Sequence, residues 1–250
     1  MGLAVVGMAR RTDLGADVAK EIDAAGGEFH FVRGDVSRPG DCDAAVAETL
    51  DRYGRLDVLV NNAGRQLDPL RRVEEMSDAE WRSIMDVALD GVFYMSRAAL
   101  PTMQAQQDGA IVTISSFAGV QVVARTGAYG AAKAAVIQLM RTIAVENAGT
   151  GVRANAVLVG AVPTEMANSA LLDMGRYVRG ADWMPDLDAG PGALGAGMME
   201  PEGLGRAVAV LCSDDSREIT GAAIAVDRGF TSGSLLSHLL YLGAAQLLPT

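Results

Sequence analysis

Several things are scarce in this 250-residue chain, and each scarcity closes off a class of function. Cysteine occurs only twice, at Cys42 and Cys212, with neither a CxxC nor a Cys/His spacing around them. A disulfide scaffold and a structural zinc are therefore not expected, and two inert thiols in a reduced compartment are. Basic charge is in deficit, with 21 Lys and Arg against 31 Asp and Glu and a net charge of −10. Such a surface repels a phosphate backbone, so nucleic acid is not an expected partner. No apolar run reaches the roughly 18 residues of a spanning helix, and the N-terminus lacks a positively charged start and a small-residue cleavage site. A cytoplasmic protein with no membrane partner is expected. Internal repeats and low-complexity tracts are also missing.

What the chain does have is an apolar content of 50 %, enough to give one α/β domain over residues 1–250 an ample core. Short apolar runs at 3–8, 29–33, 56–60, 110–115, 152–159 and 222–227 read as strands. Segments of helical period at about 14–25, 39–53, 79–106, 127–147 and 202–213 separate them. This alternation predicts parallel strands joined by crossover helices, a three-layer doubly wound sheet. Residues 161–200 break the rhythm with glycine, proline and scattered methionine. They read as a substrate lid or loop with short helices. The leucine spacing in 235–250 predicts a helical tail packed on its own domain or on a sister subunit.

Chemistry concentrates between Ile114 and Val136, ISSFAGVQVVARTGAYGAAKAAV. A serine pair ends a strand, and Tyr129 and Lys133 fall four residues apart on one face of the next helix. A phenol titrates near pH 10 unaided, and a neighbouring ammonium would bring it toward neutrality. With a serine hydroxyl beside it, the group is suited to acid/base work on a C–O function.

Taken together, Asn61-Asn62-Ala63-Gly64 after a strand, Ser116 thirteen residues before Tyr129, Lys133, and the closing Ile219-Thr220-Gly221 and Val226-Asp227 resemble the short-chain dehydrogenase/reductase family, classical type. The resemblance runs from about Leu3 to Phe230. It implies a Rossmann-like fold and hydride transfer between NADP(H) or NAD(H) and an alcohol or carbonyl of an apolar small molecule. It makes Tyr129 the general acid/base, Ser116 the carbonyl-positioning hydroxyl, and Lys133 the residue that lowers the tyrosine pKa and binds the nicotinamide ribose. It places Asp35 and Val36 at adenine, Asn61, Ala63 and Gly64 beside the adenosine ribose, and Thr164 at the carboxamide. Arg10 and Arg11 stand where basic residues favour a 2′-phosphate. The apolar pattern of the helices that contain Met95 and Tyr129 predicts a homodimer or homotetramer formed through them.

The sequence also departs from that pattern. Its first strand aligns with the family's second, so the usual first strand and its glycine-rich phosphate turn have no counterpart. The expected sheet then has two inner edges that pair with each other, are bridged by another segment, or belong to a chain whose natural start lies upstream. Ala88 replaces an asparagine that supports a proton-relay water, Val159-Gly160 replaces Pro-Gly, and Arg228 interrupts Asp-Gly-Gly. These departures keep open two other readings: a cofactor-independent isomerase, cyclase or dehydratase that uses Tyr129 as acid/base, and a non-catalytic subunit of a hetero-oligomer.

Overall fold

The computed structural model describes residues 2–179, 182 and 198–232. Within them β1 (Ala4–Ala9), α1 (Thr12–Ala24), β2 (Glu28–Arg33), α2 (Pro39–Tyr53) and β3 (Val58–Asn61) come first. α3 (Asp78–Met85), a π turn (Asp86–Asp90), α4 (Gly91–Gln106), β4 (Gly109–Ile114), α5 (Gly127–Glu146) and β5 (Val152–Val159) follow. α6 (Glu165–Arg179), α7 (Pro201–Cys212) and β6 (Ala223–Val226) close the described part.

The strands all run parallel, and local chemistry accounts for where the elements begin. β3 starts two residues later than the apolar run because the Gln106 side chain occupies both backbone groups of Leu56. Its Oε1 accepts from the Leu56 amide at 3.0 Å, and its Nε2 donates to the Leu56 carbonyl at 3.0 Å. α3 starts at a capping box in which Ser77 Oγ accepts from the Glu80 amide and Glu80 Oε2 accepts from the Ser77 amide. The helical period predicted over 79–106 is one continuous helical run, loosened in its middle by the π turn. α6 corrects the expectation of only short helices after residue 161: residues 165–179 form a single 15-residue helix. Within the expected lid, residues 180–197 apart from residue 182, and the tail 235–250, lie outside the described residues.

The core is built around β4 and β5, whose Ile111, Val112, Ala154, Ala156 and Val157 are fully buried. Alternate side chains point to opposite faces of the strands. Ile111 and Ala154 pack with Met103 of α4 and Val136 and Met140 of α5, while Val112 and Val157 pack with Leu211 of α7. This is the three-layer arrangement expected. Cys42 and Cys212 are free, and burial pushes the Cys42 thiol up to about 11.

The sheet is in two parts. β1 pairs only with β2, and β3-β4-β5-β6 form a separate ladder. Among the described residues nothing hydrogen-bonds the inner edges of β1 and β3, so these edges neither pair directly nor are bridged. Val5 of β1 is 44 % exposed and Val60 of β3 41 %, whereas the valines of β4 and β5 are buried. Backbone groups on such edges exchange with solvent without unfolding of the core. Hydrogen exchange should therefore run at least about tenfold faster for β1 amides than for β5 amides, since local openings cost less than global ones. Equal protection of the two strands would contradict the split.

Candidate active site

Because the strands are parallel, the segments leaving β3, β4 and β5 all emerge at one edge of the sheet. The segment after β4 is held first by Ser115, whose amide donates to the Val157 carbonyl at 2.8 Å. Its hydroxyl donates to the Lys133 carbonyl in α5 at 2.8 Å. Ser116 then caps a short 3-10 turn, Phe117–Gly119, its Oγ accepting from the Ala118 amide at 3.1 Å.

This turn lies directly on the backbone of α5. A Cβ on Gly119 would sit 2.8 Å from the Lys133 carbonyl carbon and oxygen, and one on Gly130 would sit 3.0 Å from the Ala118 carbonyl oxygen. Two glycines, one on each surface, thus permit the approach that sets Ser116 beside Tyr129. Neither glycine, nor Ser115, is singled out by the sequence. The sole available signal was a glycine on each side of the catalytic segment.

The Ser116 side chain hydrogen-bonds the Tyr129 phenol. Lys133 is 3 % exposed, donates from Nζ to the Ile114 carbonyl at 2.6 Å, and stands 5.7 Å from the centroid of the Tyr129 ring. The structure thus brings Ser116, Tyr129 and Lys133 together. Their electrostatics differ from the expectation. Burial pushes the Tyr129 phenol above its usual value, the Ser116 hydrogen bond offsetting only part of this. Burial also brings Lys133 down from 10.5 to about 8. The ammonium is aimed at a backbone carbonyl rather than the phenol oxygen, so in this state desolvation dominates and Tyr129 is held as a neutral proton donor.

Ala88 is fully buried in the π turn and packs with Ile84, Ala128, Ala132 and Tyr129. π turns often occur at functional sites because they displace one side chain toward the site. Here that side chain is a methyl, and the wall behind the phenol is apolar.

The residues assigned to the nucleotide divide into available and committed groups. The Arg10 side chain is 66 % exposed, 3.8 Å from Asp35 Oδ2, and Arg11 is exposed at the start of α1. Asp35 Oδ1 accepts from the Ser37 amide at 3.0 Å and the Ser37 hydroxyl at 2.7 Å. Burial works to raise this carboxyl, but the Ser37 hydrogen bonds, with Arg10 and Arg38, outweigh it and leave it below its usual value. Val36 packs against Gly91, where a Cβ would lie 2.9 Å from Val36 Cγ2. Ala63 and Gly64 are exposed, and a Cβ on Gly64 would lie 3.9 Å from Lys133 Nζ, so this turn borders the lysine. Thr164 is exposed, and its Oγ1 accepts from the Ala167 amide at 3.2 Å, leaving its hydroxyl proton free to donate. Asn61 is committed: its side chain is buried and donates to Ser96 Oγ at 3.3 Å and Thr113 Oγ1 at 3.2 Å. It ties β3 to α4 and β4 through its amide N–H groups.

A cavity of about 650 Å³ lined by Leu3, Asp57, Arg153 and Thr220 lies where β3, β4 and β5 begin, at the opposite edge from Ser116. None of Ser116, Tyr129, Lys133 or the residues assigned to the nucleotide lines it. Among the described residues no group of three or more His, Cys, Asp or Glu could hold a metal ion, and no helix is long and apolar enough to cross a membrane.

Residues 1–231 match the family described as "Enoyl-(Acyl carrier protein) reductase". The chain is 33 % identical over 241 residues to a 3beta-hydroxysteroid dehydrogenase of Mediterraneibacter gnavus, covering 92 % of this chain and 87 % of that protein. Among solved structures it resembles a putative short-chain dehydrogenase/reductase from Burkholderia xenovorans, with a TM-score of 0.79, 31 % identity and coverage of 92 % and 85 % of the two chains. It also resembles a variant of actinorhodin polyketide ketoreductase with NADPH, with a TM-score of 0.85, 29 % identity and coverage of 93 % and 89 %.

Two measurements test the site's construction. Gly119→Ala should destabilise the fold by about 1–3 kcal/mol in denaturant unfolding, the usual cost of overpacking, because the added carbon meets backbone that cannot step aside. An unchanged midpoint would mean that the turn does not bear on α5. Lys133 gives a pH test. Between about pH 8 and 10.5 the unfolded chain binds a proton on Lys133 that the folded chain has released. The stability of the parent should therefore rise with pH in that window relative to Lys133→Met. A pH-independent difference between the two would show that the lysine is not desolvated.

Proposed function

The chain belongs to the short-chain dehydrogenase/reductase family, and from that premise we propose that it is an NAD(P)(H)-dependent oxidoreductase acting on a carbonyl or alcohol of a fairly apolar small molecule. One observation carries this reading: a half-buried phenol, kept neutral by desolvation and hydrogen-bonded to a serine, with a buried lysine behind it. The substrate oxygen sits between Ser116 and Tyr129 and accepts from both. As negative charge grows on that oxygen, Tyr129 transfers its proton to it, giving the alcohol, and Ser116 keeps the oxygen in place. A phenol kept neutral by burial suits the reductive direction, since it enters each turnover holding the proton it must donate. Exposed Val120 and Val122, just beyond the Ser116 turn, support an apolar substrate.

The nicotinamide nucleotide supplies the hydride when bound. Lys133, with one of its three N–H groups on Ile114, has two left for ribose hydroxyls. Thr164 has its hydroxyl proton for a carboxamide, Asp35 and Val36 border the adenine, and Arg10 and Arg11 favour NADP(H) over NAD(H). The described residues thus fit the two ends of the nucleotide. They include no glycine-rich turn for the pyrophosphate, and that observation favours a second reading, a nucleotide-free enzyme built on Tyr129. The intact Ser116, Tyr129 and Lys133 group stands against a non-catalytic subunit. We also infer a homodimer or homotetramer formed through α4 and α5, on whose outer surfaces Phe93 and Val145 are exposed.

The test is calorimetric titration with NADPH and NADH, followed by turnover of apolar ketones. NADPH should bind in preference to NADH, and Tyr129→Phe should lower kcat/KM by about 10²–10⁴, the range for a positioned acid/base. Nucleotide-independent turnover that still needs Tyr129 would replace this reading with the second. Turnover unaffected by Tyr129→Phe would overturn both.

A further inference from the structure

We infer that Arg125 and Asp173 are positioning residues that clamp α6 onto the mouth of the Ser116 and Tyr129 site, grasping the backbone of Leu70 from both sides. Three segments meet there: the loop after β3, the loop between the Ser116 turn and α5, and α6. Leu70, fully buried, donates its amide to Asp173 Oδ2 of α6 at 2.7 Å, and its carbonyl accepts from Arg125 Nη2 at 2.9 Å. One residue's two backbone groups therefore join α6 to the loop that leads into Tyr129.

The guanidinium completes the junction from its other side. It lies 4.9 Å from the centroid of the Tyr177 ring, one helical turn beyond Asp173 on α6, and its Nη2 is 3.7 Å from Glu75 Oε2. An isolated parallel bridge between Arg71 and Thr126 fastens the same two loops next to the clamp, three residues before Tyr129. Leu67 of the first loop packs in the cluster that holds Tyr129 and Ala88. A displacement of α6 would thus reach the phenol's surroundings through Leu70, three residues from Leu67 on one loop, and through Arg125, four residues from Tyr129 on the other.

Two costs are retained at this junction. Arg125 adopts φ 67°, a left-handed conformation uncommon for a residue with a side chain. Its Nε is buried without a partner, as is Asn168 Oδ1 on α6. Strained backbone and unmet hydrogen bonds persist only where the surroundings over-determine them, and they gather at functional sites. The clamp concentrates both at the junction that joins α6 to the loop leading into Tyr129. Its consequence is a wall whose position sets how tightly substrate is held, with little bearing on the proton transfer itself.

This inference rests on the oxidoreductase reading only for its kinetic half. The experiment compares the full chain with Arg125→Asn, in which asparagine tolerates the left-handed backbone but lacks the guanidinium, and with Asp173→Ala. Hydrogen exchange of α6 amides 165–177 should accelerate about tenfold in each, the equivalent of losing one hydrogen bond to a charged group, with β4 and β5 amides unchanged. With NADPH and an apolar ketone, KM should rise about tenfold by the same loss while kcat stays within about threefold. Unchanged exchange in α6 overturns the clamp. Faster exchange with an unchanged KM overturns its link to substrate, and a lower kcat with an unchanged KM would make these residues part of the chemical step instead. Faster exchange in a chain that reduces no ketone upholds the clamp and counts against the oxidoreductase reading alone.

Discussion

The packing of the Phe117–Gly119 turn against the backbone of α5 is the constraint from which the site follows. Ser115 ties the turn's start to the Lys133 carbonyl, and Gly119 meets that same carbonyl group without a Cβ between them. The turn and α5, joined by residues 120–126, are thereby fixed at a spacing that no side chain could bridge as tightly. Ser116 leaves the turn on one side of this contact and Tyr129 rises from the helix on the other. Their hydroxyls meet because the backbones do. Catalytic geometry of this kind is carried by rigid elements rather than by the reacting side chains.

The same contact explains the protonation states. Close packing expels water from around Tyr129 and Lys133 alike, and desolvation disfavours the charged form of each, raising the phenol and lowering the ammonium. The two shifts oppose the formation of a phenolate–ammonium pair before ligands enter. Lys133 meets its hydrogen-bonding need at the Ile114 carbonyl, the last residue of β4, so the lysine also fastens α5 to the sheet.

Much of this was legible in the sequence. The positions of six strands follow from short apolar runs, and the pairing of Tyr129 with Lys133 follows from a four-residue spacing on a helix. What was not legible depends on contacts distant in the chain. The late start of β3 is decided by Gln106, fifty residues away, and the inward turn of Asn61 by Ser96 and Thr113. The sign of the Tyr129 shift is decided by burial, which spacing alone does not report. α6 was hidden because its neighbourhood is rich in glycine and proline, and composition averaged over 161–200 masks an amphipathic stretch inside it.

The divided sheet ties fold and function together at one further point. In a doubly wound fold the ligand crevice opens at the carboxyl ends of the strands, where the strand order reverses. Here β1 and β3 flank that place, with no described strand between them. Each half nevertheless holds its share of the residues proposed for the nucleotide. Arg10, Asp35 and Val36 belong to the β1-β2 half, and Lys133 and Thr164 to the β3–β6 half, with Val36 against Gly91 as a direct packing contact between them. A nucleotide reaching from Arg10 to Lys133 must cross the division, so its affinity reports how firmly the halves are held together as well as the quality of either end. In this chain α2 packing on α4 and Val36 on Gly91 take up that task, which in a continuous sheet would fall to backbone hydrogen bonds.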